Sequence, residues 1–446
     1  MYVARILNEN ETITSESGTV YVVEVFLDSG GQGEIYRVRC DGQQYALKVY
    51  KPEVASKAQR QIFENLYKTD EPSPKFLWIL DIVDLPRKKT FGYIMRLINT
   101  HEYKSISLLL KNQITPVPSL YVHLTTAILL ADNFSRLHAK ALAFFDISYD
   151  NIRMRPSDGD ILIFDCDNIN LKNKRSLVGG HPEFKAPELV INPNALPNDK
   201  TDRFSLANLL FHLLMHGHPL EGMQESNIEC MDSEAMKGLY GQNPVFVYDP
   251  LNSSNRPDPD RHKSVIYMWD KYPESIRKLF EKAFTEGLKN PDKRIRDREW
   301  CSELLNARDS IVLCQRDKAE NFVKPDIHCG NSAQPLYCWN CKAKIRIPPR
   351  IVISGKGISH SVILNSGTCI YKSHIENSFD GMTPIGQVAR DRVNPSQWHL
   401  KNVSDLKWQF SYKGGTDKNV EKNDGVPLAD GILIKFPNGI TGTFLF

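Results

Sequence analysis

The chain lacks a long hydrophobic run, a leader-like start and a strong net charge. None of its apolar runs approaches the roughly 18 residues that a membrane-spanning helix needs. Residues 1–5 (MYVAR) lack the basic start and apolar centre of a secretory signal peptide. The formal net charge is +3 over 446 residues, so no global basic field points to nucleic acid or an anionic membrane. We therefore predict a cytoplasmic protein that binds neither nucleic acid nor membrane.

The composition is that of a soluble globular protein with a substantial core. Apolar residues make up 41% and charged residues 24% of the chain, and its length suits about two or three domains. Five of the nine cysteines are scattered and are predicted to be reduced core residues: Cys40, Cys166, Cys230, Cys301 and Cys369. The others fall between positions 314 and 341, and this clustering indicates metal binding.

An acid, an asparagine and a second acid form the central motif of the chain. Asn151 follows Asp146 by five residues, and Asp165 comes directly after the apolar run 161–164. This layout can supply one general base and two magnesium ligands for phosphoryl transfer. An aspartate with an asparagine five residues later is common by chance. The motif therefore indicates phosphoryl transfer only if other motifs of the chain support it.

The first of these other motifs precede the central motif. A glycine-rich turn, residues 29–33 (SGGQG), separates the predicted strands 21–27 and 34–39. Glycines in such a turn let backbone N–H groups approach phosphates closely. Lys48 then lies on an otherwise apolar strand, 45–50. Strand, glycine turn, strand and strand lysine together are typical of a phosphate-binding region.

Further supporting motifs lie on both sides of the central motif. A helix is predicted over 120–138 from its apolar spacing. After Asp165 come Ala186-Pro187-Glu188, then Asp202 at the start of a helical pattern, then Arg294. Taken in order, these motifs resemble those of the eukaryotic-type protein kinases, and the resemblance implies that Arg294 pairs with Glu188.

The resemblance implies a fold and a reaction. The fold is the α+β, two-lobed protein-kinase fold over residues 1–310, with an N-lobe of about 1–97 and a C-lobe of about 98–310. The reaction is ATP/Mg-dependent transfer of the γ-phosphate to serine or threonine, either of the chain itself or of partner proteins.

The resemblance also assigns roles to individual residues. Asp146 takes the place of the catalytic base, and Asn151 and Asp165 take the places of ligands for Mg²⁺ or Mn²⁺. Lys48 is implied to hold the α- and β-phosphates, and Glu64 on the next predicted helix is its best placed partner. The implied ATP-binding residues are Gly30, Gly31, Gly33, Ile35, Ala46, Lys48, Met95, Arg96 and Leu97.

Several residues depart from the kinase pattern. Phe144 and Phe145 replace the histidine and arginine before the base, which makes this a non-RD type whose activity need not await loop phosphorylation. Ser148 replaces a lysine that steadies the γ-phosphate, and Arg153 replaces an apolar residue beside the adenine. Asp28 stands for the first glycine of the loop. The alternative function is a nucleotide-binding pseudokinase scaffold.

A zinc knuckle is predicted in the linker 311–348. Cys338 and Cys341 are spaced C-x-x-C, which places two thiolates across a tight turn at suitable angles for Zn²⁺. Cys329 is the third predicted ligand of this structural zinc. The fourth is either Cys314 or His328, because neighbouring residues rarely both bind one ion. The alternative is reduced thiols without metal.

The last region, 349–446, is predicted to be a small β-sandwich. Its β-rich runs, divided by turn residues, are 350–353, 361–364, 431–436 and 442–446. Residues 400–404 with Trp408 resemble the central strands of the forkhead-associated fold, although its phosphothreonine-reading motifs are not apparent.

The order of kinase domain, zinc knuckle and forkhead-like sandwich resembles one bacterial group. These are the kinases encoded beside a von Willebrand A protein and a metal-dependent phosphatase in tellurium-resistance-type triads. The resemblance implies those two proteins as partners. It leaves open whether the chain is an active kinase or a scaffold that displays its sandwich.

Overall fold

The N-terminal region is a six-stranded antiparallel sheet with one helix packed on it. The computed structural model describes residues 5–99, 101–172, 174, 180–192, 194–323, 335–391, 394 and 397–446. The elements of this region are β1 (Thr12–Thr14), β2 (Val20–Ser29), β3 (Gly33–Cys40), β4 (Gln43–Tyr50), α1 (Lys57–Tyr67), β5 (Asp81–Leu85) and β6 (Thr90–Arg96). The sheet order is β1-β2-β3-β4-β6-β5. Asp41 and Gly42 join β3 to β4 with positive φ at both residues, as a two-residue hairpin turn requires.

Helix α1 begins at a serine cap and buries one face against the sheet. The Ser56 side chain accepts a hydrogen bond from the Gln59 N–H at 3.1 Å. The ring of Phe63 lies 5.3 Å from that of Tyr50 and 5.2 Å from that of Tyr93. Gln59, Phe63 and Leu66 are the buried residues of this helix. They define the face of α1 that meets the sheet.

The following region is mostly helical. Its helices are α2 (Ile106–Leu110), α3 (Leu120–Ala139), α4 (Pro187–Ile191), α5 (Asp199–Met215), α6 (Met223–Ser226), α7 (Ser233–Lys237), α8 (Lys263–Trp269), α9 (Glu274–Phe284), α10 (Glu286–Lys289) and α11 (Asp297–Asp309). Its short strands are β7 (Lys104–Ser105), β8 (Leu142–Phe144), β9 (Ile152–Met154), β10 (Ile161–Ile163) and β11 (Ile169–Leu171). Helix α3 packs against α5 and α11. The pairs β8/β11 and β9/β10 hold the segments that carry Asp146 and Asp165.

The C-terminal region is all β. Its strands are β12 (Ile311–Leu313), β13 (Glu320–Phe322), β14 (Arg350–Gly355), β15 (Ile358–Ile363), β16 (Cys369–Tyr371), β17 (Pro384–Arg390), β18 (Trp398–Asn402), β19 (Trp408–Tyr412), β20 (Lys418–Val420), β21 (Gly425–Pro427), β22 (Ile432–Lys435) and β23 (Thr441–Leu445). Two antiparallel sheets, β15-β14-β23-β22-β19-β20 and β16-β17-β18-β21, share a second apolar core. Trp408 is buried there, and a Cβ at Gly386 would lie 2.8 Å from its ring.

The last turn of α11 joins the kinase-like part to the C-terminal sheets. The Arg308 guanidinium is buried, donates to the Gly381 carbonyl at 3.0 Å, and lies 4.6 Å from the centre of the Tyr371 ring. The neighbouring Asp309 bonds His374 at 3.0 Å, also in a buried position. These contacts fix the sheets to the helix.

Most of the predicted elements are confirmed. The predicted strands 21–27, 34–39 and 45–50 are β2, β3 and β4, and the predicted helix 120–138 is α3. The β-rich runs of the C-terminal region coincide with β14, β15, β22 and β23. Within the described ranges, no helix combines the length and apolarity needed to cross a membrane.

Candidate active site

The glycine-rich turn is shaped by one close contact. A Cβ at Gly33 would lie 2.4 Å from the Val49 carbonyl oxygen, so only glycine lets β3 run this close to β4. At Gly30 and Gly31 a Cβ would meet no described atom within 4 Å. The Gly30 N–H donates to the Gly33 carbonyl at 2.9 Å. The turn is therefore tight at its base and open at its tip.

Lys48 lies buried on β4 between two carboxylates. Its Nζ is 3.0 Å from Asp165 Oδ1 and 2.9 Å from Asp167 Oδ2. Burial alone would lower the pKa of Lys48, but the charge of Asp167 and its neighbours raises that pKa well above its usual value. The amine is therefore a fixed positive charge in the cleft.

The predicted Lys48–Glu64 pair is absent, which corrects the sequence-based prediction. Glu64 lies on the partly exposed side of α1, where Arg60 is its partner at 3.3 Å. Gln59 occupies the buried face instead, and its Nε2 donates to the Asp167 carbonyl at 3.2 Å. Helix geometry explains the difference, because Glu64 is about 100° around the helix from the buried Phe63.

Asp167 takes the position that Glu64 was expected to hold. Its side chain is fully buried, and its other oxygen accepts a hydrogen bond from the Tyr93 hydroxyl at 3.3 Å. Sequence reasoning missed this residue, although Asp165-Cys166-Asp167 shows an acid where the kinase motif has glycine. Lys48 thus takes its buried counterion from the loop after β10 and not from helix α1.

Asp146 and Asn151, the predicted base and metal ligand, are held together by hydrogen bonds. The Asn151 side chain donates to the Asp146 carbonyl at 2.8 Å and to Asp146 Oδ2 at 2.9 Å. Asp146 Oδ1 is buried and has no hydrogen-bond partner among the described residues. Because the amide nitrogen of Asn151 faces Asp146, its amide oxygen lies on the other side. Asp165 adopts a left-handed backbone, with φ 50°, and 41% of its side chain is exposed.

A lysine approaches Asp146 from the later segment. A Cβ at Gly180 would lie 3.1 Å from Lys185 Cε and 3.4 Å from Asp146 Oδ1, so both groups border the same space. Burial lowers the pKa of Lys185, and the Asp146 charge opposes that shift. Ser148, in contrast, is buried. The positive charge that Ser148 cannot supply thus comes close to the base from another segment.

The residues expected around the adenine lie on the neighbouring strands β3, β4 and β6 and just after β6. Ala46 and Met95 pair across β4 and β6, and Ile35 lies opposite Lys48 on β3. Ile35 and Leu97 are partly buried against the main core. The Arg96 guanidinium turns to the Pro74 and Phe76 carbonyls at 2.6 and 2.7 Å, so only its backbone can serve the nucleotide. Arg153 lies over the Phe164 ring at 5.1 Å.

A buried histidine supports the start of the loop that carries Asp146. His138 lies 3.1 Å from Asp202 Oδ2 and 2.8 Å from Asp297 Oδ2. Asp202 also accepts a hydrogen bond from the Phe144 N–H at 2.8 Å. Burial opposes the charged form of His138, but the two carboxylates outweigh it and raise its pKa to about 9. Asp202 therefore ties the loop to α5.

The His138 contribution to stability should depend on pH. Its pKa in the folded state, about 9, lies above its usual 6.5, so the stabilisation is complete below about pH 6 and is lost above about pH 9. We expect His138→Gln to lower the free energy of unfolding by on the order of 3 kcal/mol more near pH 6 than near pH 10. Urea unfolding of both proteins at each pH measures this, and a pH-independent difference would contradict it.

A second ion pair closes the segment that follows the cleft. Arg294 Nη1 and Nη2 each lie 2.7 Å from one oxygen of Glu188, in a bidentate pair. This pair is the one that the sequence predicts. The Arg294 side chain is almost fully buried, so the contact fixes α4 against the core of the helical region.

The predicted zinc ligands are only partly described. Cys314, Cys338 and Cys341 converge, with Cys314 Sγ 3.6 Å from Cys341 Sγ. The predicted ligand Cys329 and its neighbour His328 lie outside the described residues. Asp317, which the sequence-based prediction overlooked, joins the three cysteines in one cluster.

The comparisons with known proteins agree with this geometry. A family model described as "Protein kinase domain" matches residues 21–305, which is more than half of the chain. A search of the curated proteins found no match. The matched range contains the glycine-rich turn, Lys48, Asp146, Asn151 and Asp165. The chain therefore belongs to the protein kinase domain family.

Proposed function

We propose that this protein transfers the γ-phosphate of ATP to serine or threonine hydroxyls of proteins, with Mg²⁺ or Mn²⁺ as cofactor. The observation that carries the proposal is the state of Asp146. One of its oxygens is held by Asn151, while Oδ1 is buried without a hydrogen-bond partner in the described chain. A buried acceptor left free in this way suits a general base.

The residues of the site have different roles in the proposed reaction. Asp146 Oδ1 accepts the proton of the substrate hydroxyl as the hydroxyl oxygen attacks the γ-phosphorus, and the bond from that phosphorus to the β–γ bridging oxygen breaks to release ADP. Lys48 supplies a fixed positive charge for the α- and β-phosphates, and the open tip at Gly30 and Gly31 lets backbone N–H groups cover them. Because phosphoryl transfer depends on positioned charge, this arrangement acts mainly through geometry and electrostatics.

Asp165 and Asn151 are proposed to supply oxygen ligands for a divalent cation. The Asp165 carboxylate is partly exposed, and the Asn151 amide oxygen is turned away from Asp146. Carboxylate and amide oxygens are the ligands that Mg²⁺ prefers. When bound, the cation neutralises charge on the β- and γ-phosphate oxygens.

Lys185 should matter for the chemical step. Because it borders the same space as Asp146, we expect Lys185→Ala to lower kcat about 10- to 100-fold and to leave ATP affinity within about twofold. Lys185→Arg keeps the charge and should retain more activity, and the exposed Lys140→Ala is the matched control. Steady-state kinetics with ATP titrations measures both constants. A normal kcat in Lys185→Ala would contradict this role.

The chain is proposed to be of the non-RD type. Phe145 stands where many kinases have the arginine that binds a phosphorylated activation segment. Without that arginine, loop phosphorylation has no charge to neutralise before the enzyme can act. Ser176, the serine of this segment, lies outside the described residues.

The scaffold alternative rests on one observation. Lys48 bonds Asp165 as well as Asp167, so the residue expected to hold the cation is engaged by a lysine. Incubation of purified protein with γ-labelled ATP, Mg²⁺ and a generic serine- and threonine-rich protein separates the functions. Labelled phosphate that is incorporated into the chain or the substrate, and is not incorporated when EDTA is present, supports the kinase function. ATP binding without any transfer supports the scaffold.

We also propose that the two C-terminal sheets form a β-sandwich that binds protein partners. Its supports are the shared core around Trp408 and its rigid attachment to α11. The resemblance to the triad kinases offers a von Willebrand A protein and a metal-dependent phosphatase as candidate substrates. Both belong in the transfer assay beside the generic substrate.

A further inference from the structure

Two turns in the linker have matching sequences. Residues 314–319 read C-Q-R-D-K-A, and residues 338–343 read C-W-N-C-K-A. Both begin with cysteine, and both have a possible metal ligand at the fourth position. That ligand is Asp317 in the first turn and Cys341 in the second.

The two turns also share one backbone geometry. The Cys314 N–H donates to the Ala319 carbonyl at 2.9 Å, and the Cys338 N–H donates to the Ala343 carbonyl at 2.9 Å. The backbone N–H of Lys318 donates to the Cys314 carbonyl at 3.0 Å, and the backbone N–H of Lys342 donates to the Cys338 carbonyl at 3.1 Å. These lysines have φ 62° and 59°. Each turn is therefore the same kind of knuckle.

Neighbouring pairs of the four ligand atoms are spaced as tetrahedral zinc requires. All four lie within 4.8 Å of one another. Cys314 and Cys341 sulfurs are 3.6 Å apart, and the Cys338 sulfur is 3.6 and 3.7 Å from the Asp317 oxygens. Tetrahedral zinc with Zn–S bonds of about 2.3 Å separates its sulfur ligands by about 3.8 Å. Three thiolates favour a soft cation such as Zn²⁺ over Mg²⁺ or Ca²⁺.

Asp317 is held in position by neighbours that do not themselves bind metal. One of its oxygens accepts a hydrogen bond from the Ala319 N–H at 3.0 Å. The other accepts a hydrogen bond from Asn340 Nδ2 at 2.9 Å, which links the first knuckle to the second. Hydrogen bonds of this kind orient a ligating carboxylate.

We propose that Cys314, Asp317, Cys338 and Cys341 bind one structural Zn²⁺ between the two knuckles. Asp317 supplies the fourth ligand, in place of Cys329 or His328.

The metal would hold together a region with little core of its own. The local apolar cluster contains few buried residues: Val312, Cys314, Val323, Cys338, Ile345 and Ile363. The second knuckle also rests on the helical region, since Lys271 Nζ lies 3.7 Å from the centre of the Trp339 ring. Metal binding in such a small module supplies much of its folding free energy.

The zinc content and affinity of the full-length protein test the proposal independently of kinase activity. Wild-type protein should contain stoichiometric Zn²⁺ by elemental analysis. Asp317→Ala should weaken Zn²⁺ binding at least about tenfold in competition with a chromogenic chelator. Cys329→Ala and His328→Ala, the matched controls, should keep wild-type affinity.

A cobalt experiment covers the case in which Asp317→Ala does not fold. Asp317→Cys keeps four ligands, and its Co²⁺ form should absorb more strongly in the thiolate-to-cobalt band than the wild-type form. Metal-free wild-type protein would overturn the site. Unchanged affinity in Asp317→Ala, an unchanged cobalt band in Asp317→Cys, or weakened affinity in Cys329→Ala or His328→Ala would overturn the assignment of Asp317.

Discussion

Asp146→Asn should lower phosphate transfer by about 10²- to 10⁴-fold while ATP binding stays within about twofold of wild type. The substitution keeps the shape of the side chain and one acceptor oxygen but removes the basic carboxylate. General-base catalysis contributes about 10²- to 10⁴-fold, so a loss of that size is expected in kcat. ATP affinity should survive because Lys48, paired with Asp167, still faces the phosphates. Labelled-phosphate transfer and equilibrium ATP binding measure the two effects separately.

The control for this experiment is a second acid of the same loop. Asp150 is exposed four residues after Asp146, and Asp150→Asn should leave transfer unchanged. Should wild type and Asp146→Asn prove equal in a sensitive assay that includes candidate partner proteins, the kinase assignment fails. The scaffold function would then be the one that remains.

Asp167→Asn should weaken ATP binding and transfer together, whereas Glu64→Gln should change neither by more than about twofold. Asp167 is the fully buried counterion of Lys48, and Glu64 contacts Arg60 on the exposed side of α1. Removing one charge of a buried pair costs about 3 kcal/mol or more of folding stability. Because the Lys48 charge also loses its position, we expect kcat/KM to fall on the order of 100-fold. The neutral variant would leave Lys48 with Asp165 alone and so pull a metal ligand out of place.

Stability has to be followed beside activity in this pair of variants. Because Asp167 is buried, its replacement also lowers the melting temperature, so kcat/KM is compared well below that temperature. Loss of activity in Glu64→Gln with normal Asp167→Asn would reverse the assignment. That result would mean that α1 rotates when ATP binds and delivers Glu64 to Lys48.

Local patterns predicted much of this molecule, and tertiary geometry explains where they fell short. Patterns along single strands and loops predicted that Lys48 lies on a strand and that Asp165 follows one, and β4 and β10 confirm both placements. The partner of Lys48 depends on which face of α1 meets the sheet. Helical periodicity indicates this face, since Gln59, Phe63 and Leu66 share it, and Glu64 does not.

In the linker, too, local sequence patterns did not identify every candidate residue. A search for cysteine and histidine found Cys338 and Cys341 but overlooked Asp317, because carboxylates are less typical zinc ligands. The repeat of C-x-x-D-K-A and C-x-x-C-K-A was present in the sequence. Only the matched backbone bonds give that repeat a structural meaning.

The buried joint at Arg308 and Asp309 decides how this protein can reach a target. A module on a flexible linker samples many positions, and the effective concentration of a partner bound to it falls as the linker lengthens. Here a helix of the kinase fold ends inside the C-terminal sheets, through the Gly381 carbonyl and His374. Under the proposed function, a partner bound to those sheets would be presented to Asp146 at one distance and one angle. Targets would then be selected by whether their acceptor hydroxyl lies at that distance from the bound surface.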